Sequence, residues 1–280
     1  MAELPELERE RKKLNQLFVG QRFRSISLLK ESWANVSIEQ LQQGLVGRQL
    51  LYVERRAKGI VFHLDDGRRL LVTAGNGALF HTTSSAEEEA GVKEDADSIA
   101  VNGNALVQPQ LRISFDQGNW NVTGARTLSL QWLSAKEMDD IAKEWGLEPL
   151  SRNLNATLFQ NRFAKRRTAL RTALTNPALI AGISPAIADE ICFRAGIMPT
   201  VKTETLSSCD WEAVYNSMVQ WLQEAIEQPG APSYVVSGRQ GEACGTCRTK
   251  LSDTLISGKV SVYCSSCQHE HAPEIACTHG

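Results

Sequence analysis

Cys244-Gly-Thr-Cys247 and Cys264-Ser-Ser-Cys267 decide most about the fold of this chain of 280 residues. Sixteen residues separate the two pairs, which is the spacing of a ribbon in which four thiolates surround one zinc ion. Four cysteine ligands leave no coordination position for a substrate, so the predicted zinc is structural. Two disulfides are the alternative interpretation, and they require an oxidising compartment, for which the sequence shows no signal.

The composition indicates a globular protein with more than one domain. Hydrophobic residues make up 42% of the chain, which is enough for two cores in addition to the ribbon. The formal net charge of -2 argues against a uniformly cationic nucleic-acid coat but allows local positive patches. The sequence contains no apolar segment of the length that spans a bilayer or directs secretion. We therefore expect a cytoplasmic protein without a membrane segment, and a monomer.

The polarity pattern changes along the chain from that of strands to that of helices. Residues 3–18 have the apolar spacing of an amphipathic helix, and the segments that follow have the composition of strands, with hairpin turn signals at Asp65-Asp66-Gly67 and Asp116-Gln117-Gly118-Asn119. The strands are predicted at 22–29, 49–56, 59–64, 69–74 and 111–115. The later helices are predicted at 135–145, 155–172, 176–180, 187–195 and 211–227. The acidic stretch 81–104 is predicted to be a surface loop, and a hairpin around Ser257-Gly258 completes the zinc ribbon.

These patterns predict an α+β protein of several domains. Residues 1–134 are expected to form a mostly β domain behind an N-terminal helix, and residues 135–237 a helical domain. Residues 238–270 are expected to form the zinc-binding β-hairpin, and residues 271–280 a tail.

Five motifs follow one another along the chain. They are Ala2-Glu-Leu-Pro-Glu-Leu-Glu8, Arg55-Arg-Ala-Lys58, Ala181-Gly-Ile-Ser-Pro-Ala-Ile-Ala-Asp-Glu190, Phe193-Arg-Ala-Gly-Ile197 and Gly238-Arg-Gln-Gly-Glu-Ala-Cys244. Each resembles a motif of the formamidopyrimidine-DNA glycosylase and endonuclease VIII family, and together they keep the family's order over nearly the whole length. The resemblance implies a β-sandwich in the first domain, a DNA-binding helix-two-turns-helix motif in the second, and a zinc ribbon after it.

The family's chemistry begins at the N-terminal amine of a proline, and the corresponding residue here is Ala2. Removal of Met1 would expose a primary amine with a reference pKa of about 8, low enough to attack C1′ of a damaged nucleoside and form an imine. By the same resemblance, Glu3 protonates the sugar ring oxygen or shuttles protons, Glu6 supports it, and Lys58 binds the phosphate beside the lesion. The alternative for both glutamates is stabilisation of a helix dipole from its first turn.

Two loops are similar to those that enter the DNA in this family. Within 123–129, Arg126 corresponds by resemblance to the arginine that faces the orphaned base, and Leu128 to an apolar wedge. The family's first wedge is replaced within 74–79. Because base extrusion costs a few kcal/mol that inserted side chains help offset, a weaker wedge predicts weaker flipping of intact pairs. The alternative for Leu128 is an ordinary core residue of a strand.

The phosphate-binding positions depart from the family's pattern. Ser184-Pro185 replaces the Gly-Asn of the helix-two-turns-helix motif, and proline offers neither a side-chain nor a backbone donor. Gly182, Ser184 and the amides at the next helix start are predicted to hold the phosphate instead. Lys259 stands where the family has a phosphate-clasping arginine, so the charge remains but the bidentate fork is lost. The connection 228–237 is shorter than the family's lesion-capping loop, which argues against efficient 8-oxoguanine recognition.

The sequence supports two main hypotheses for function, and both predict damaged DNA, double- or single-stranded, as the partner. The first is a bifunctional DNA glycosylase and AP lyase of base excision repair, which removes oxidised or ring-opened bases through Ala2 at the nucleoid of a bacterial-type cytoplasm. The second is a protein of the same lineage that recognises abasic or distorted DNA without turnover, as the changes at Ala2 and Pro185 favour. A zinc-ribbon protein that binds other proteins is a third alternative.

Overall fold

The computed structural model describes residues 2–84, 99–101, 105–163 and 165–273. Contacts among these residues divide the chain into two compact units. The first unit comprises Ala2 and Leu7–Ala142, and the second comprises Glu3–Glu6 with the described residues from Lys143 onward. The unit changes between Ala142 and Lys143, so the helix that follows residue 134 lies in the first unit except for its last residue, whereas a domain boundary after residue 134 was predicted.

Two antiparallel four-stranded sheets form the first unit. Its strands are β1 (Phe23–Leu28), β2 (Leu50–Arg56), β3 (Gly59–Leu64), β4 (Arg69–Ala74), β5 (Leu79–Ser84), β6 (Ile99–Val101), β7 (Ala105–Val107), β8 (Leu111–Phe115), β9 (Gly118–Thr123) and β10 (Leu128–Leu133). The strand order is β1-β8-β9-β5 in one sheet and β10-β4-β3-β2 in the other, and β6 pairs with β7 alone. The helices are α1 (Leu4–Phe18), α2 (Ile38–Leu45) and α3 (Ala135–Lys143).

The two sheets share one apolar core. The ring of Phe62 on β3 lies 6.3 Å from that of Phe23 and 5.3 Å from that of Trp120, both of which belong to the other sheet. Trp120 is fully buried, and its indole N–H donates a 2.8 Å hydrogen bond to Oε1 of Glu10 on α1. Burial raises the pKa of Glu10. The predicted β-sandwich therefore forms, and the indole N–H of its buried Trp120 has a hydrogen-bond acceptor.

The second unit is helical and carries the cysteine hairpin. Its elements are α4 (Ala156–Phe163), α5 (Leu170–Leu174), α6 (Pro185–Arg194), α7 (Ser208–Glu227), β11 (Ser252–Ile256) and β12 (Lys259–Tyr263). The helices bury a core that includes Phe159, Ile187 and Trp211, and a smaller cluster with Leu251 and Val262 surrounds the buried cysteines. Within the described part of the chain, no helix has the length and apolarity needed to cross a membrane.

Long-range hydrogen bonds explain where the helix predictions were wrong. The helix predicted at 155–172 is two helices, because the backbone at 168–170 pairs with residues 201–203 and leaves the helical conformation. Residues 176–180 form turns, since the carbonyl oxygens of Pro177 and Leu179 accept hydrogen bonds from the backbone N–H groups of residues 146 and 147, which follow α3.

Several elements of the first unit were not predicted. Helix α2 begins with a capping box in which Ser37 and Gln40 exchange hydrogen bonds, a signal that could have been read from the sequence. Residues 81–84, expected in a surface loop, belong to strand β5. Residues 99–101 lie in the β6–β7 hairpin, while 85–98 and 102–104 of the predicted loop lie outside the described residues.

Candidate functional site

The start of α1 carries the residues predicted to be catalytic. Ala2 is only 3% exposed and packs in the core of the first unit. Glu3 and Glu6 belong to the second unit, where the Glu6 carboxylate accepts a 2.7 Å hydrogen bond from the backbone N–H of Glu3. This contact satisfies a donor at the helix start and places negative charge at the positive end of the helix dipole. Glu6 thus has a structural role, and the catalytic roles of all three residues stay predictions.

Tyr234 lies beside these carboxylates and was not predicted. Its ring stacks on Trp221 with the centroids 5.9 Å apart and the planes 16° from parallel. Burial raises the pKa of Tyr234, and the charges of Glu3, Glu6 and Glu190 raise it further because they disfavour a phenolate. The hydroxyl therefore stays protonated at physiological pH and is available as a hydrogen-bond donor. Sequence spacing could not reveal this group, since its members are far apart along the chain.

Residues 234–237, which we call the strap, are held by one buried side chain on α6. Glu190 is fully buried, and its carboxylate accepts hydrogen bonds from the backbone N–H groups of Val235, Val236 and Ser237 at 2.8 to 3.0 Å. Hydrogen bonds from three backbone N–H groups offset the cost of removing the Glu190 carboxylate from water. The strap backbone is therefore fixed to α6.

The preceding residue, Asp189, holds the cysteine hairpin in the same way. Its Oδ1 accepts hydrogen bonds from Arg171 Nε at 2.8 Å and from Ser261 Oγ at 2.7 Å. Its Oδ2 accepts the N–H of Val262 at 3.3 Å. The Arg171 guanidinium also donates to the backbone carbonyl of Val260 at 2.7 Å. Helices α5 and α6 are thus joined to strand β12 through one buried ion pair.

Lys58 lies half-buried in the tight turn between β2 and β3. The turn places Ala57 in the left-handed region, with φ at 51°. The Arg55 side chain donates a 2.9 Å hydrogen bond to the carbonyl of Ala57 and pairs with the Glu8 carboxylate at 3.1 Å. Arg55 and Glu8, which were not predicted as site residues, therefore fix the turn that carries Lys58.

Arg126 is exposed in a loop that packs against a second glycine-containing loop. Its backbone N–H donates a 2.9 Å hydrogen bond to the carbonyl of Asn76. Gly77 and Gly124 approach so closely that a Cβ on either would lie within 2.7 Å of the other's carbonyl oxygen. Both glycines also have positive φ, so neither position accepts a larger residue without strain. The two loops predicted to enter DNA thus form one compact structure.

Leu128 lies in the core, away from the tip of this structure. It pairs with Ala74 at the start of β10 and is only 4% exposed. A side chain in this position would have to leave the core to enter a base stack. The position favours the alternative interpretation, a core residue of a strand.

The helix-two-turns-helix segment brings Gly182 and Ser184 to the start of α6. Gly182 has φ at 83°, a conformation that glycine adopts without strain. The Ser184 hydroxyl is buried and accepts a 3.2 Å hydrogen bond from the N–H of Ile187, while Pro185 occupies the first helical position. Ser184 is therefore the N-cap of α6, and its predicted phosphate contact is untested.

Four cysteines converge at the base of the hairpin. The Sγ atoms of Cys244, Cys247, Cys264 and Cys267 all lie within 4.8 Å of one another. The Sγ atoms of Cys247 and Cys264 lie 3.4 Å apart and those of Cys244 and Cys267 lie 3.9 Å apart, far longer than the roughly 2 Å of a disulfide bond, and all four thiols are free. The disulfide interpretation is therefore wrong. Sulfur atoms about 3.8 Å apart are expected around a tetrahedral zinc with bonds of about 2.3 Å.

The thiols are also electrostatically suited to a cation. Hydrogen bonds with Thr249 lower the pKa of Cys247 to about 6. Burial raises the pKa of Cys267, and hydrogen bonds with the neighbouring thiols raise it further. The four sulfur atoms are close enough together to hold a metal ion.

Lys259 lies exposed at the other end of the hairpin from the cysteines.

Comparisons with known proteins agree with the geometry of both units. Family profiles described as the formamidopyrimidine-DNA glycosylase N-terminal domain and H2TH domain match residues 1–119 and 145–235. Formamidopyrimidine-DNA glycosylases of Halalkalibacterium halodurans and Colwellia psychrerythraea are 26% and 28% identical, over 96% of this chain and 100% of each relative.

Solved structures show the same fold. The Lactococcus lactis formamidopyrimidine-DNA glycosylase, non-covalently bound to DNA containing an AP site, superposes with a TM-score of 0.79 at 23% identity. A MutM complex with DNA containing carbocyclic 8-oxo-G gives a TM-score of 0.79 at 22% identity. Both comparisons cover 95% of this chain and 99% of the solved chain. The predicted fold class and resemblance are confirmed.

The Glu190→Gln variant tests how the strap is held. Glutamine has the same shape as glutamate, but its NH₂ group replaces one acceptor oxygen and cannot accept a hydrogen bond from the backbone N–H groups of the strap. The free energy of unfolding should therefore fall by about 2 kcal/mol. Urea denaturation measures the change. Glu224→Gln is the matched control, because Glu224 is an exposed carboxylate that pairs with Arg194 and should change stability by less than about 1 kcal/mol. Equal stability of the two variants would contradict the anchoring role of Glu190.

Proposed function

Since the chain belongs to the formamidopyrimidine-DNA glycosylase family, we propose that it is a DNA repair glycosylase with AP lyase activity. Its substrates are oxidised or ring-opened bases in damaged DNA, and its place is the nucleoid of a bacterial-type cytoplasm. The observation that carries the proposal is the match of both family domains in chain order, together with curated relatives that share the whole length and carry the name.

The reaction starts at the amine that Met1 removal exposes on Ala2. With a reference pKa of about 8, a fraction of this primary amine is neutral at physiological pH and can attack C1′ of the damaged nucleoside. The C1′–base bond breaks, the base leaves with the electron pair and takes up a proton, and the sugar ring opens to give an imine. Glu3 supplies or shuttles the protons, Glu6 holds the helix start, and β-elimination from the imine cleaves the strand.

Lys58 and Arg126 bind the DNA in this proposal. The ammonium of Lys58, on the turn that Arg55 braces, binds a phosphate next to the lesion and sets the register without reading sequence. Arg126 lies exposed on the compact loop structure, where it can face the base opposite the lesion. Gly182, the Ser184 hydroxyl and the backbone amides at the start of α6 offer a further phosphate contact. The Ser184 oxygen accepts the N–H of Ile187 as a cap, which leaves its O–H to donate to the phosphate.

Recognition of damaged or abasic DNA without turnover is the second candidate function. Two observations favour it. Ala2 replaces the secondary amine that forms the iminium directly, and Leu128 is packed in the core, where it cannot serve as a wedge without leaving its strand. Borohydride trapping of a covalent adduct with DNA distinguishes the two functions.

Borohydride trapping on oligonucleotides with an abasic site or an oxidised pyrimidine tests the enzyme proposal. After mass spectrometry confirms Met1 removal, we expect a covalent adduct that maps to Ala2. Glu3→Gln should slow adduct formation on the damaged base by roughly 10²- to 10⁴-fold, the usual contribution of general acid–base catalysis. Glu39→Gln, in the first turn of α2, is the matched control and should react like the wild type.

Two results would contradict the enzyme proposal. Absence of any adduct, despite tight and salt-sensitive binding of abasic DNA, would establish the non-catalytic function. An adduct that forms at the same rate in Glu3→Gln would remove the acid–base role of Glu3 and leave the imine chemistry intact.

We also propose that the cysteine group holds one structural zinc ion. The support is the closed set of four thiols, their separations and the absence of an open ligand position. Elemental analysis should find close to one zinc per chain, and a strong chelator should remove it and lower the melting temperature, because the hairpin has only a small apolar cluster of its own.

A matched pair of variants checks the metal assignment. Cys264→Ser should lose the zinc, whereas Cys192→Ala, which changes a buried thiol of the helical core, should keep it. Zinc bound in full by Cys264→Ser would show that the metal lies elsewhere.

A further inference from the structure

Buried Arg55 links helix α1 to the turn between β2 and β3. Its side chain is only 5% exposed. Its Nε donates to Oε2 of Glu8 on α1 at 3.1 Å, and its Nη1 donates to the carbonyl oxygen of Ala57 at 2.9 Å. The guanidinium is a rigid plane of donors, so one side chain can bond to both acceptors in a fixed geometry. Helix α1 therefore sets the position of the Ala57 carbonyl group.

The Glu8 carboxylate is oriented by a neighbour on the same helix. Its Oε1 accepts a 2.8 Å hydrogen bond from Nε of Arg11, while its Oε2 accepts the bond from Arg55. The Glu8 side chain is mostly buried, so little water competes for either bond. Hydrogen bonds between charged groups are stronger than neutral ones, and a partly buried site strengthens them further. The link from α1 to Arg55 is therefore stiff.

Helix α1 is held against β2 at a second point. The Asn15 side chain accepts the backbone N–H of Val53 at 2.9 Å and donates to the Val53 carbonyl at 2.7 Å. Glu8 and Asn15 lie about two helical turns apart, so both side chains project from the same face of α1. Two points of attachment fix the direction of β2 relative to the helix as well as its distance.

The turn that Arg55 restrains is strained. Arg56 pairs with Gly59, so Ala57 and Lys58 form a two-residue turn in which Ala57 has φ at 51°. Residues with a Cβ rarely adopt this left-handed conformation, which glycine adopts freely. Strained conformations of this kind persist where the surroundings hold them, and they are concentrated at binding and catalytic sites. The bond from Arg55 to the Ala57 carbonyl is one such restraint, and Lys58 is the next residue.

Helix α1 also carries the proposed nucleophile. The helix begins two residues after Ala2, and Ala2 lies in the first unit with Arg55 and Lys58. The amine must approach C1′ closely, and a misplacement of about 1 Å can cost roughly 100-fold in rate. A phosphate that Lys58 holds determines where C1′ lies. The distance between the turn and α1 therefore affects the rate.

From this arrangement we propose that Arg55 and Glu8 are positioning residues that hold Lys58 at a fixed place relative to α1. The phosphate that Lys58 binds then brings C1′ of the damaged nucleoside to the Ala2 amine. Arg55 and Glu8 act through Lys58 and need not touch the DNA themselves. The inference rests on the proposed function, because it requires Lys58 to bind a phosphate and Ala2 to react.

The test is a double-mutant cycle between Arg55 and Lys58, measured as single-turnover excision of an oxidised pyrimidine from duplex DNA. Arg55→Lys keeps the charge and loses the planar fork, so the rate at saturating DNA should fall about 10-fold or more. Affinity for the duplex should change by less than about 3-fold, because Lys58 still binds its phosphate. In a Lys58→Gln background, Arg55→Lys should slow the reaction by less than about 2-fold further, since the residue through which it acts is gone.

Two further variants separate this effect from a general loss of stability. Glu8→Gln removes the charge to which Arg55 bonds, at a less buried position, and should reproduce the Arg55→Lys pattern. Arg24→Lys changes an exposed arginine of β1 that pairs with Asp116, and this matched control should react as the wild type does. Circular dichroism and urea denaturation confirm that each variant is folded.

Failure of the inference is distinguishable from failure of the proposed function. Equal slowing by Arg55→Lys in both backgrounds would overturn the inference alone, because Arg55 would then act on the fold and not through Lys58. A fall in affinity with an unchanged rate would also overturn it, since Arg55 would then contribute to binding and not to the position of C1′. If the wild type excises no base, the proposed function fails and the inference fails with it.

Discussion

Two consecutive buried carboxylates on α6, Asp189 and Glu190, fix two segments of the second unit, the cysteine hairpin and the strap. A carboxylate without water is costly unless donors surround it, and removing one partner of a buried pair is strongly destabilising. Asp189 takes its donors from Arg171 and the hairpin, and Glu190 takes its donors from the strap. One turn of helix therefore dictates where both segments lie.

This constraint links the fold to the proposed chemistry. The strap carries Tyr234, whose pKa is raised by burial and by the charges of Glu3, Glu6 and Glu190. The hairpin carries Lys259 on a support that Arg171 and the cysteines hold. Tyr234 and Lys259 thus lie on segments that depend on the same short helix, even though they come from distant parts of the sequence.

Local signals in the sequence predicted much of this fold. The cysteine spacing predicted the four-thiol group, and apolar runs bounded by turn signals located the strands from β2 to β4, because both are local patterns. Contacts between distant segments explain what was not predicted. The backbone pairing of 168–170 with 201–203 interrupts a helix, and the strap bonds of Glu190 leave no pattern in the sequence. The catalytic residues came from family resemblance, and their roles stay predictions.

Hydrogen exchange of the ¹⁵N-labelled protein tests the carboxylate anchor most directly. The strap lies outside helices and strands, so its amides would exchange rapidly if nothing held them. We predict that the amides of Val236 and Ser237, which bond to Glu190, exchange as slowly as those in the middle of α6. If these amides exchange rapidly while those of α6 exchange slowly, the Glu190 carboxylate does not hold the strap.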